Sequence, residues 1–143
     1  MENYLIIQNI SSTPEWKNVF NLILNHCDQF EVIFPEGNFD VENPLMGGKL
    51  EFEKLEDTLS NSWDGMKDSI CLSGSLTKDV KSLIYELEQP SFIGDKPELW
   101  NFKLLRNGQL YLRIEDFTVC LLENHKELLS LLGKNGIDSS TFE

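Results

Sequence analysis

Three cysteines, two histidines and one serine-rich turn are the groups in this chain whose chemistry extends beyond packing and charge. Cys27, Cys71 and Cys120 stand far apart, with no Cys-x-x-Cys pair among them, so reduced thiols acting as small hydrophobes are expected. A structural zinc would need the three cysteines plus His26 or His125, and ligands scattered singly do not nucleate a tetrahedral site. Neither a metal nor another cofactor is expected. His26 falls at the end of a helical stripe, where a cationic ring is favoured by the helix C-terminus. His125 could act as a general base, but no serine or cysteine nucleophile lies in a recognisable turn to partner it. Carboxylate pairs such as Glu56-Asp57 and Glu115-Asp116 follow from abundance alone in a chain with 24 acids. The most enzyme-like segment is the turn Ser73-Gly74-Ser75-Leu76-Thr77, whose backbone N–H groups could meet an anion. It lacks the glycine and lysine pattern of a phosphate loop, and capping a helix calls for the same residue types. No catalytic residue is assigned.

The elements that would carry these groups read as one α+β domain over residues 1–143, a mainly antiparallel sheet with about three helices packed on one face and a frayed tail over 134–143. A strand is expected over Tyr4–Gln8, and a helix capped by Ser12 or Thr13 with Trp16, Val19, Phe20, Ile23, Leu24 and Cys27 on one side. Alternation predicts strands over Gln29–Phe34 and Lys49–Leu55, the latter setting Leu50 and Phe52 against Glu51 and Glu53. Residues 56–67 read as a surface loop, Ser69–Ser73 as a strand, and the segment capped by Thr77 as a helix ending before Pro90. Strands over Leu99–Leu105 and Gln109–Ile114 flank Asn107-Gly108, the strongest short hairpin signal in the chain. Phe117–Leu122 is expected to continue the second of these past a kink. A last helix over Asn124–Leu132 has Asn124 and Glu127 spaced as a capping pair and Gly133 as its stop.

Charge is the sharpest signal. Twenty-four acids oppose 12 bases, a formal net charge of −12 that disfavours nucleic acids and anionic membranes as partners. No run approaches the roughly 20 apolar residues that span a bilayer, and MENYLIIQNI lacks a basic start and a small-residue cleavage site, so a cytoplasmic protein is expected. Residues 28–57 hold nine acids (Asp28, Glu31, Glu36, Asp40, Glu42, Glu51, Glu53, Glu56 and Asp57) against Lys49 and Lys54, a net −7. Were strands 29–34 and 49–55 neighbours, Glu31 would face Glu51 or Glu53 outward, a like-charge arrangement that a cationic partner relieves. Glu31, Glu51, Glu53, Glu56 and Asp57 therefore form the expected binding patch, with Trp63 and Asp64 at its edge.

A small acidic domain with clustered carboxylates and no catalytic constellation resembles the immunity proteins that bacteria pair with polymorphic or contact-dependent toxins. The resemblance is one of character over the whole chain, and no family residue is carried onto this sequence. It implies a binding protein, not an enzyme, whose partner is a cationic toxin domain such as a nuclease, inhibited when carboxylates occupy its phosphate-binding surface. An adaptor or subunit of a larger complex, its charge serving solubility, is one alternative. A small group-transfer enzyme using the Ser73–Thr77 turn is another.

Overall fold

The computed structural model describes residues 4–35, 46–55, 58–62 and 69–138. They form strands β1 (Tyr4–Ile7), β2 (Gln29–Pro35), β3 (Leu59–Ser62), β4 (Ser69–Ser75), β5 (Asn101–Arg106), β6 (Gln109–Glu115) and β7 (Val119–Glu123), with helices α1 (Trp16–His26), α2 (Lys49–Glu53), α3 (Lys78–Glu88) and α4 (Lys126–Lys134). The strands make one sheet of order β1-β7-β6-β5-β2-β4-β3, every neighbouring pair antiparallel. This is the expected α+β domain, with four α-helices where about three were read.

Period-two alternation decides which sheet face is covered. Phe30, Val32 and Phe34 of β2 join Phe102 and Leu104 of β5 in the main core, against Phe20 and Ile23 of α1, Phe52 of α2, Ile84 of α3 and Leu128 and Leu132 of α4. All four helices thus contribute apolar residues to the same core. Burying each such side chain stabilises the fold by about 1.5–3 kcal/mol before entropy is subtracted. Glu31 and Ile33 point the other way. On that second face lies a small cluster of Ile33, Trp100 and Phe117 with Cys71 packed against it.

Four corrections to the sequence reading arise here. Residues 49–53 form a helix and not a strand, and β2 is flanked by β4 and β5 instead. Residues 59–62, read as loop, form the edge strand β3. The segment after Asp116 is a new strand that turns back on β6, not a continuation of it. Asp116 and Phe117 make that turn with φ of 48° and 71°, a left-handed region that a bulky side chain enters only under compensation. The compensation is visible: Phe117 N–H donates to the Trp100 carbonyl at 2.9 Å, Trp100 Nε1 donates to Asp116 Oδ1 at 3.2 Å, and Lys96 Nζ sits 4.0 Å from the Phe117 ring centroid. Finally, no side chain caps α1, since the Thr13 and Ser12 hydroxyls donate to the Asn9 carbonyl. Of the expected frayed tail, Ile137 is buried, and 139–143 lie outside the described residues.

Trp16 carries a polar link through the core. Its Nε1 donates to Ser91 Oγ at 3.0 Å, and that hydroxyl donates to the Glu88 carbonyl at 2.7 Å, both bonds buried. Ser91→Ala orphans the indole N–H, for which a loss of about 1–3 kcal/mol is expected, read as a lower urea midpoint with an unchanged slope.

Candidate functional site

Among the described acids of residues 28–57, Glu31 stands apart from Glu51 and Glu53, while Glu36, Asp40 and Glu42 lie outside the described residues. Glu31 projects from the middle of β2 on the face away from the helices. Glu51 and Glu53 are exposed on α2, whose Phe52 packs on Phe30 and Phe34 of the covered face, with ring centroids 5.6 and 6.0 Å apart. The sheet therefore separates Glu31 from the other two. Asp28 is engaged structurally, its carboxylate accepting from Asn107 N–H at the β5–β6 turn. Glu56, Asp57, Trp63 and Asp64 lie outside the described residues.

What the structure adds is how firmly α2 is presented. The helix has five residues, too few to hold themselves. Its position is fixed from below by Phe52 and from its start by Lys49, a lysine only 8% exposed whose Nζ donates to the Pro35 carbonyl at 2.7 Å. Gly48 enters α2 at φ of 84°, and a methyl group there would stand 2.8 Å from Leu87 Cδ1. Gly47 lies directly against the Glu98 carbonyl. With Phe52 and Lys49 turned inward, Leu50, Glu51 and Glu53 face outward, Leu50 at 55% exposure. An apolar side chain flanked by two carboxylates is the composition of a binding anchor with a charged rim. Among the described residues the ion pairs are Arg113–Glu115 at 2.9 Å and His26–Glu127 at 3.7 Å, so Glu51 and Glu53 are not neutralised within them.

The face away from the helices has mixed charge. Across β4, β2, β5 and β6 the register sets Ser73, Glu31, Lys103 and Arg113 in a row. Arg113 is held by Glu115 and lies over the Tyr4 ring, 5.3 Å from its centroid. Cys71 donates its S–H to Glu31 Oε1 at 3.5 Å. Beside Glu31 a depression of about 520 Å³ opens toward the β5–β6 turn, lined by Gln29, Leu59, Ser73, Ser75, Leu105 and Gly108 among others.

The groups first considered for catalysis are occupied otherwise. Thr77 Oγ1 accepts from Val80 N–H at 3.3 Å and caps α3, as expected, while Leu76 N–H donates to the Asp28 carbonyl. Burial, reinforced by Asp28, pushes the Cys27 thiol up to about 12, and burial followed by Glu31 pushes Cys71 up to about 11. Burial also raises Cys120 well above its ordinary value. All three stay protonated and unreactive at neutral pH. Among the described residues no three His, Cys, Asp or Glu side chains are disposed to hold a metal ion.

Sequence reasoning missed one cluster. His26 at the end of α1 and His125 before α4 close on Tyr111 of β6, with ring centroids 5.2 and 4.7 Å away, and Glu127 completes the group. His125, not Asn124, caps α4: its Nδ1 accepts from Leu128 N–H at 3.2 Å, which fixes the other ring nitrogen as the protonated one. Burial first, then Glu127, pushes the Tyr111 phenol up, and proximity to that phenol holds the Glu127 carboxyl below its usual range. The cap bond and the stacked rings make this cluster a clasp between α1, β6 and α4. Only the topology of the sheet brings the two histidines together, so no local spacing announces it.

Comparison with protein-family models, with curated proteins and with solved structures finds no match. No helix among the described residues is long and apolar enough to cross a membrane.

Proposed function

We propose that this protein is a non-catalytic inhibitor of the immunity type, which binds a cationic toxin domain through its acidic surface, with Leu50, Glu51 and Glu53 of α2 as the core of the contact. One observation carries the reading: a five-residue helix is held by a buried lysine and two glycines that admit no side chain, and what it presents is one exposed leucine between carboxylates that have no ion pair among the described residues. A contact held rigid before binding lowers the ordering cost of binding. The net charge of −12 adds long-range attraction for a basic partner. Glu56, Asp57, Trp63 and Asp64, named from the sequence as part of the contact, lie outside the described residues and do not carry the proposal. Glu31, on the other sheet face, is separate from it.

The test uses the product of the adjacent reading frame where that encodes a basic toxic domain. Co-expression relieves toxicity, and the purified pair forms a complex that weakens with salt. Glu51→Lys with Glu53→Lys is expected to slow association about tenfold or more and to flatten its salt dependence. Leu50→Ala leaves the association rate unchanged and speeds dissociation about 5- to 30-fold. All three positions are exposed, so the fold survives the changes. A complex indifferent to all three substitutions, or an affinity independent of salt, overturns the proposal.

A further inference from the structure

The depression beside Glu31 is built differently from the α2 surface and lies on the opposite face of the sheet. Its floor is strand backbone, its sides include Leu59 and Leu105, and Ser73, Ser75 and Gln29 add polar groups. Leu59 is 67% exposed on the edge strand and offers an apolar surface at the rim. Among the described residues Glu31 is the one charged residue lining it. That carboxylate is half-buried, and its hydrogen-bond donor is the Cys71 thiol at 3.5 Å, a weak donor that leaves most of its acceptor capacity unused. Lys103 stands opposite Glu31 in register, yet the pair does not close to ion-pair distance, and Arg113 is already held by Glu115. A carboxylate at the wall of an open cavity, with apolar flanks and hydroxyls nearby, lacks a planar cation with an apolar stem.

We infer that this depression receives an arginine side chain of a protein partner, the guanidinium pairing with Glu31 and the methylene stem lying along Leu59 and Leu105. Charge complementarity selects a base, and the shape of the site selects among bases. A guanidinium can fork onto the carboxylate while its weakly hydrated faces lie against leucine, whereas an ammonium would surrender a tight hydration shell to do so. The inference rests on the binding function proposed above and adds a second contact on the opposite face.

The experiment needs no identified partner. The capped tripeptide acetyl-Gly-Arg-Gly-amide is titrated into the isotope-labelled protein and amide shifts are followed, with the citrulline analogue as the uncharged isostere and the lysine analogue as the alternative base. The arginine peptide produces saturable shifts at Glu31, Ser73, Gly74, Ser75 and Gly108, the lysine peptide weaker ones, and the citrulline peptide none. Glu31→Gln abolishes the shifts, Leu59→Ser weakens binding several-fold, and Lys103→Met tightens it by removing a competing cation. Equal shifts with citrulline, shifts that persist in Glu31→Gln, or no shifts at these amides overturn the assignment. If the peptide does not bind while the α2 variants weaken the toxin complex, this site falls and the inhibitor reading stands. If the peptide binds and no toxin complex forms, the arginine site stands without it.

Discussion

Gly47→Ala is expected to lower stability by about 3 kcal/mol or more, a drop of roughly 1.5 M in urea midpoint at a typical slope near 2 kcal/mol/M. The methyl group would meet the Glu98 carbonyl oxygen. That carbonyl cannot swing away cheaply, because the Glu98 N–H is bonded to the Leu87 carbonyl at 3.0 Å and Leu99 beside it is fully buried. Relief must come from moving α2, which pulls Phe52 from between Phe30 and Phe34 and breaks the Lys49–Pro35 bond, leaving a buried ammonium without its acceptor. Gly48→Ala should be costly for a different reason. It forces a φ of 84° on a residue with a Cβ and presses on Leu87 and Leu99 side chains that can yield in part. Gly133→Ala is the control: nothing lies within 4 Å of its added carbon in α4, so it should be neutral or stabilising by up to about 1 kcal/mol. Wild-type stability in Gly47→Ala would mean that α2 does not dock as described. If the proposed toxin complex forms, the same substitution should weaken it more than Leu50→Ala does, since it displaces the whole proposed contact.

The misreading of α2 shows why its structure was half legible. KLEFE alternates as well as any strand, and five residues do not distinguish a period of 2 from one of 3.6. The Gly47-Gly48 pair and the fate of Lys49 decide the matter, and both depend on Glu98, Leu87 and Pro35, which are distant in sequence. The longer helices were plain: Val19, Phe20, Ile23 and Leu24 are all buried at the spacing that predicted them, and so are Val80, Ile84 and Leu87. Asn107-Gly108 also turns as expected, with φ of 51° and 80°. The next turn was hidden because Asp116-Phe117 adopts a similar left-handed path without a glycine, stabilised by Trp100 and Lys96 from elsewhere in the chain. Edge strand β3 was hidden because LSNS shows no apolar alternation, and an edge that packs little demands none.

Charge was legible as a quantity and not as a map. The excess of acids in 28–57 is real, but proximity in sequence became opposition across the sheet once 49–53 crossed to the helical side. Glu31 thereby stands among Cys71, Ser73 and Lys103, and Glu51 and Glu53 beside Leu50. Two dissimilar surfaces result where one acidic stripe was expected, and the two proposals made for them call for different features of a basic partner.

Glu88→Met is expected to stabilise the protein at neutral pH by about 1–3 kcal/mol. Glu88 ends α3 with its side chain fully buried, and neither carboxyl oxygen has a hydrogen-bond partner. It also stands at the negative end of the helix dipole, where a carboxylate is unfavourable. Burial pushes its carboxyl well above the ordinary value of 4.5, so the folded protein holds a proton that the unfolded chain releases. The sign follows from linkage. Below the unfolded value both states are protonated and the wild type suffers no ionisation penalty. Above it, stability falls by about 1.4 kcal/mol per pH unit until the folded protein also ionises. The difference between the Met variant and wild type should therefore be flat in acid and should widen as the pH rises above 4.5. Glu88→Gln separates the two causes, because it abolishes the pH slope while retaining an unpaired buried polar group, and so gains less than the methionine. Denaturant midpoints across the pH series would read this directly; a Met variant that parallels wild type at every pH would show that Glu88 reaches solvent or a partner.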